Sequence, residues 1–271
     1  MSEQVRKKLN LGQVDCHCHL SDPRILDLEE VIKRSQEKGV SHFLLAGVGP
    51  EDWERQEKLA QQFPSMILPC FGLHPYWVSD HSEEECEEAL SILETKLSKS
   101  LGLGELGLDF REKIVKGKNK QQIACFEKQL GLSKKYNKAP VLHIVRAHDE
   151  AVKTLSKHHL REGIVHAFNS TEKTAKKYLD LGYTLSIGCA LLHSNNHALQ
   201  EAVEAIPLEK LLIESDSPDQ PPPQFHEKNN ESWTILLVAK RIAELKAVET
   251  KTVLSLVKQN LARIFFKEVS I

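Results

Sequence analysis

VDCHCHLSDP, residues 14–23, decides how the chain is read. Histidines alternate with cysteines, and the run ends in Ser-Asp-Pro instead of a glycine-rich turn. Alternation at period two is that of a strand, with His17 and His19 on one face and Cys16 and Cys18 on the other. The two histidines can chelate one metal ion, while the cysteines face a packed layer as small apolar side chains. A first strand opening a doubly wound nucleotide-binding sheet would run into a phosphate loop of glycines. This one does not.

Outward from this stretch, one unit recurs about eight times, a short apolar run followed by a longer amphipathic one. After VDCHCHL come HFLLAGV from His42, MILPCFGL from Met66, LGLGELGL from Leu101 and PVLHIV from Pro140. GIVHAF from Gly163, YTLSIGCAL from Tyr183 and KLLIESD from Lys210 complete the series. Between them lie helical patterns. In LEEVIKRSQEKG, Leu28, Val31, Ile32 and Ser35 share a side and Gly39 is the stop; Phe126, Leu130 and Ser133 are spaced likewise. Strands that are apolar throughout and separated by helices indicate a parallel sheet covered on its outer side. Eight such units favour an α/β fold in which one (β/α)8 TIM barrel spans residues 1–271. ILLVAKRIAELK and TVLSLVKQNLARIFF read as two closing helices, and no linker divides the chain.

The 271 residues include 36 Lys+Arg, 38 Asp+Glu and 41% apolar residues, for a net charge of −2. That balance belongs to an ordinary globular protein and excludes disorder and tight binding through a broad basic surface. MSEQVRKKLNLGQVD holds no apolar stretch of signal-peptide length, and nowhere do ~18 apolar residues run together. Six dispersed cysteines read as reduced thiols. The expected location is cytoplasmic or nuclear, with no membrane contact and no obligate protein partner.

Ligand-type residues gather at the strand ends. Glu105 lies near the end of strand 4 between Gly104 and Gly107; His143 ends strand 5, His166 strand 6, and Asp216 follows strand 8. In a (β/α)8 barrel these positions and His17/His19 open onto one rim, where active sites sit. A packing core would place Val, Ile and Leu there. Four imidazoles and two carboxylates suit two divalent cations about 3.5–4 Å apart. The donor set favours zinc or manganese, with magnesium possible.

These residues resemble the TatD family of metal-dependent deoxyribonucleases, within the amidohydrolase superfamily. The resemblance rests on DCHCHL at 15–20, GLHP at 72–75, GELGLD at 104–109, QIACFEKQL at 122–130 and PVLHIVRA at 140–147. HAFNS at 166–170, ESDSP at 214–218 and NLARIF at 260–265 continue it, and the chain looks most like the eukaryotic TatD-domain-containing deoxyribonucleases. It implies that His17, His19 and Asp216 hold one metal, that Glu105 bridges, and that His143 and His166 hold the second. The chain departs from the family pattern at Asn169-Ser170, where a Ser/Thr-Gly is usual. It departs again at Tyr76, where many members carry a second histidine, and at NNES (229–232), which replaces an arginine-containing segment.

The expected reaction is hydrolysis of DNA phosphodiesters, as an exonuclease or at abasic sites. Asp216 and Glu105 are the catalytic carboxylates: Asp216 orients the attacking water and accepts its proton, and Glu105 spaces the cations. His74 and Arg146, just past strands 3 and 5, can contact phosphate. Asp109 either orients a ligand histidine or caps the loop after strand 4. The segment REKIVKGKNK at 111–120 has five basic residues against one acid, and Arg111 and Lys113, with Lys116 and Lys118, suit a flexible phosphate-contacting loop. By contrast EEECEE at 83–88 begins a helix after Ser82. Two other readings compete: a small-molecule phosphoesterase, lactonase or amidase of the superfamily, and a non-catalytic nucleic-acid-binding barrel. Six intact ligand positions argue against the second.

Overall fold

The computed structural model describes residues 12–160, 162–226 and 228–266. Residues 1–11, most of the N-terminal stretch read above for a signal peptide, lie outside them. All eight apolar runs form strands: β1 (Gln13–Cys18), β2 (Val40–Ala46), β3 (Ile67–Phe71), β4 (Gly102–Asp109), β5 (Pro140–Val145), β6 (Ile164–Val165), β7 (Thr184–Ile187) and β8 (Leu211–Ile213). They pair in parallel in chain order, which is the topology of a (β/α)8 barrel and excludes the doubly wound alternative.

Several of the helices between them begin where the sequence supplies a side-chain cap. In α1 (Leu28–Glu37) the Asp27 side chain accepts from the Glu30 N–H, and the chain leaves the helix at Gly39 with φ of 90°. After α2 (Pro50–Gln62) and α3 (Pro75–Asp80) comes α4 (Glu83–Lys96). There Ser82 and Glu85 close a capping box, so the acidic run is helix-terminal chemistry as expected. The layer continues with α5 (Glu112–Val115), α6 (Asn119–Tyr136), α7 (His148–His158), α8 (Glu172–Asp180) and α9 (His197–Ala205). The closing pair, α10 (Ile235–Leu245) and α11 (Thr250–Phe265), buries Val253, Val257 and Leu261. No helix among the described residues is long and apolar enough to cross a membrane. All six cysteines are buried free thiols, Cys16 and Cys18 among them, on the strand face away from the histidines.

Two features of this frame place the site. Around β4 the strands approach so closely that side chains are excluded. A Cβ on Gly72 would lie 2.7 Å from the Gly104 backbone, and one on Gly107 would lie 2.0 Å from the His143 carbonyl oxygen. The barrel seam is closed past the end of β8. Asp216 N–H donates to the His17 carbonyl (3.0 Å) and His19 N–H to the Ser217 carbonyl (2.7 Å). The buried Asp15 carboxylate adds bonds from the Ser215 N–H (2.9 Å) and hydroxyl (2.5 Å). The seam thus joins the two segments that carry His17, His19 and Asp216.

Candidate metal centre

Glu105 stands at the middle of the rim, buried, with its two oxygens facing different histidines. Oε2 lies 3.3 Å from His17 Nε2 and 3.5 Å from His19 Nε2. Asp216 Oδ1 completes that group, 3.6 and 3.4 Å from the same two nitrogens, which are 3.3 Å apart. Donors about 2.0–2.1 Å from one tetrahedral ion are separated by about 3.3–3.4 Å, so this group has the spacing of a coordination shell. Oε1 faces the other way, 2.6 Å from His143 Nδ1 and 2.8 Å from His166 Nε2. Two buried atoms here, Glu105 Oε2 and His17 Nδ1, have no hydrogen-bond partner among the described residues, and an unpartnered carboxylate oxygen at this depth fits the role of a cation ligand.

The outer hydrogen bonds fix which ring nitrogen points inward. His19 Nδ1 lies 3.1 Å from the Ala46 carbonyl, which only accepts, so Nδ1 carries the proton and Nε2 offers a lone pair. His143 turns Nε2 to Asp109 Oδ2 (3.2 Å), and His166 turns Nδ1 to Glu214 Oε1 (3.1 Å), both carboxylates. Carboxylate–histidine pairs of this kind hold metal ligands in tautomer and orientation. His74 has the opposite arrangement. Its Nδ1 accepts the Tyr76 N–H at 3.0 Å, so the neutral ring is protonated on Nε2, 3.3 Å from Glu105 Oε1. Spacing alone would count His74 as a ligand; its tautomer makes it a donor.

Charge in the site is arranged for cations. Burial works against ionising Glu105 and Asp216, yet the surrounding histidines hold both well below the usual carboxylate range. Burial disfavours a charged His19 too, but the Asp216 hydrogen bond and the charges of Glu105 and Asp216 push it up to about 9. His143 and His166 are likewise raised against burial, by Asp109 and Glu105 for the first and by Glu105 and Glu214 for the second. Burial wins at His74, which falls to about 4. Protons and metal therefore compete for the same nitrogens. As pH falls through the raised values the rings take up protons while the carboxylates stay ionised, so metal binding weakens. Apparent zinc affinity is expected to fall at least about tenfold per unit between pH 8 and 6, with proton release measurable calorimetrically in buffers of different ionisation enthalpy.

The rim cavity measures about 740 Å³ and is lined by His74, Arg146 and Arg111 beside His19, Glu105, His143, His166 and Asp216. Asp109 makes contacts on both sides: Oδ2 meets His143, and Oδ1 accepts from Arg111 N–H and Nε, each at 3.0 Å. Arg111 also contacts the Tyr76 hydroxyl. The reading of 111–120 as a loose basic loop needs correction. Residues 112–115 form α5, and α6 begins at Asn119. Lys116 pairs with Asp80 at 2.5 Å and Lys118 donates to the His81 carbonyl at 2.6 Å. Lys113 is exposed and does not line the cavity. Only Arg111 of that segment reaches it.

Several residues at the site escaped the sequence reading. Glu214 and Asp15 sit beside candidate ligands in the quoted motifs and hold His166 and Ser215, respectively. Gln129 of α6 brackets the residue before His74, accepting from Leu73 N–H at 2.8 Å and donating to its carbonyl at 3.0 Å. Gln122 does the same for Asp109, at 2.9 and 3.2 Å. Asn230, in the segment that departs from the family pattern, donates to the Ser215 and Gln220 carbonyls and so braces the loop carrying Asp216.

The profile of a family described as TatD related DNase matches residues 14–266. The chain is 28% identical over 266 residues to the human protein named deoxyribonuclease TATDN3, covering 95% of this chain and 96% of that one. It is 30% identical over 257 residues to YabD of Bacillus subtilis, named an uncharacterized metal-dependent hydrolase, covering 93% and 98%. Among solved structures, the crystal structure of YjjV, a TatD homologue from Escherichia coli, superposes with a TM-score of 0.86 at 26% identity, covering 94% of this chain and 98% of that one. With a family match along nearly its whole length and the donor set assembled at the barrel rim, the chain belongs to the TatD related DNase family and is a metal-dependent hydrolase of ester bonds.

Proposed function

We propose that this enzyme hydrolyses DNA phosphodiesters, at strand ends or abasic sites, with two divalent cations held on either side of Glu105. The observation that carries the reading is the division of the Glu105 oxygens between His17/His19 and His143/His166. His17, His19, Asp216 and Oε2 would hold one cation; His143, His166 and Oε1 would hold the other. Imidazole and carboxylate donors suit zinc or manganese best. Cations bound there would lower the pKa of water towards ~7 and offset phosphoryl charge. The name of the human relative supports DNA as the substrate.

The chain's own residues supply the rest. Asp216 turns Oδ1 to the histidines, and Oδ2 accepts from the Gln220 amide with a lone pair remaining, so the carboxylate is fixed in place to orient water and take its proton. His74, neutral at pH 7, holds its Nε2–H against Glu105 Oε1 at 3.3 Å on the cavity wall, a donor that an incoming phosphoryl oxygen could share. Arg146, exposed on the cavity wall, can meet an adjacent phosphate. Arg111, tied to Asp109 and Tyr76, supplies fixed positive charge at the opening.

Metal analysis of the purified protein should find about two equivalents per chain. Cleavage of single-stranded, duplex and abasic DNA should exceed that of bis(p-nitrophenyl) phosphate and vanish on chelation. Hydrolysis of small esters with every DNA substrate left intact would replace this reading with the small-molecule one.

A further inference from the structure

The cavity wall past β5 and β6 holds a polar side chain whose orientation is set by a chain of hydrogen bonds. The Ala190 carbonyl can only accept, and Asn196 Nδ2 donates to it at 3.2 Å, which settles which end of the Asn196 amide is nitrogen. The second N–H of the same Nδ2 goes to Asn169 Oδ1 at 3.0 Å. Asn169 is therefore held by its oxygen, and its own amide N–H groups have no partner among the described residues. Asn169 lines the same cavity as Glu105, Asp216 and Arg146.

We infer that Asn169, held by Asn196, is a specificity-determining residue that donates to a carbonyl on the nucleobase next to the phosphate being cleaved. The inference rests on the reading of the enzyme as a DNA hydrolase. The partner is a base and not a phosphate because the exposed guanidinium of Arg146 shares this wall and is the stronger partner for an anion. A neutral amide whose oxygen is already engaged matches the acceptor edge of a base, such as a thymine carbonyl.

The test compares two oligonucleotides, one with thymine and one with its isostere 2,4-difluorotoluene next to the scissile phosphate. The isostere keeps the shape and removes the carbonyl acceptors. The wild-type enzyme is expected to favour thymine by about three- to tenfold in kcat/KM, the effect of one neutral hydrogen bond. Asn169→Ala should abolish the preference. Asn196→Ala, which frees the Asn169 amide to turn over, should reduce it. Both variants should hydrolyse bis(p-nitrophenyl) phosphate, which has no base, at the wild-type rate, showing that the fold and metal centre are intact. A thymine preference that survives Asn169→Ala, or no preference in the wild-type enzyme, would overturn the inference alone. Failure of the wild-type enzyme to cut either oligonucleotide while hydrolysing the small diester would overturn the underlying reading and the inference with it.

Discussion

Asp216→Asn is expected to leave a folded protein whose DNA cleavage is slower by about 10³-fold or more. The backbone contact that Asp216 makes across the seam, from its N–H to the His17 carbonyl, survives the substitution, so the thermal midpoint should move by only a few degrees. The side chain cannot be replaced so easily. Asp216 offers Oδ1 to the His17 and His19 nitrogens and Oδ2 to the Gln220 amide. Asparagine has one oxygen for these two demands. Turned inward it sets its NH2 against that of Gln220; turned outward it points N–H groups at the metal-facing nitrogens. Either way the charge is lost, and with it a proton acceptor whose contribution is typically about 10²–10⁴-fold. Raising the metal concentration separates the two roles: recovery of full activity would reduce Asp216 to a ligand. Full activity without added metal would exclude it from both roles.

Glu105→Gln should be at least as damaging, because both oxygens are in use. Glutamine can keep an oxygen toward one histidine pair only, and presents an N–H donor to the other. Metal analysis is expected to show loss of at least one equivalent, and DNA hydrolysis should drop by about 10⁴-fold. In the metal-free variant the titrations of His143 and His166 should move down toward ordinary imidazole values, since the Glu105 charge is among the forces raising both; imidazole NMR signals would follow this. Two retained equivalents would show that the cations do not share this carboxylate.

The eight strands were legible because each is an apolar run bounded by polar helix, a pattern that survives in one dimension. The candidate ligands stood out for a related reason: histidine or acid at the end of such a run is out of place in a core. Gln122 and Gln129 gave no such signal. A glutamine in a helix looks like surface, and the Leu73 backbone bracketed by Gln129 is 56 residues away in the chain. The basic stretch misled for the complementary reason. Lysines read as free charge until their partners are known, and Asp80 and His81 lie 36 and 37 residues earlier on a different helical unit. The tautomer of His74 depends on a single backbone N–H of the next turn, which no spacing rule conveys.

The seam has a consequence for how the chain holds together. Asp15 and Ser215, which bond across it, are 200 residues apart, so about three quarters of the 271-residue polypeptide is the loop that this contact closes. The second donor group is local by comparison, drawn from neighbouring strands β4, β5 and β6. A cation bound by His17, His19 and Asp216 is thus a clip on the longest loop, restraining the unfolded chain much as a cross-link between its ends would. One ion would then set both reactivity and the mechanical integrity of the barrel.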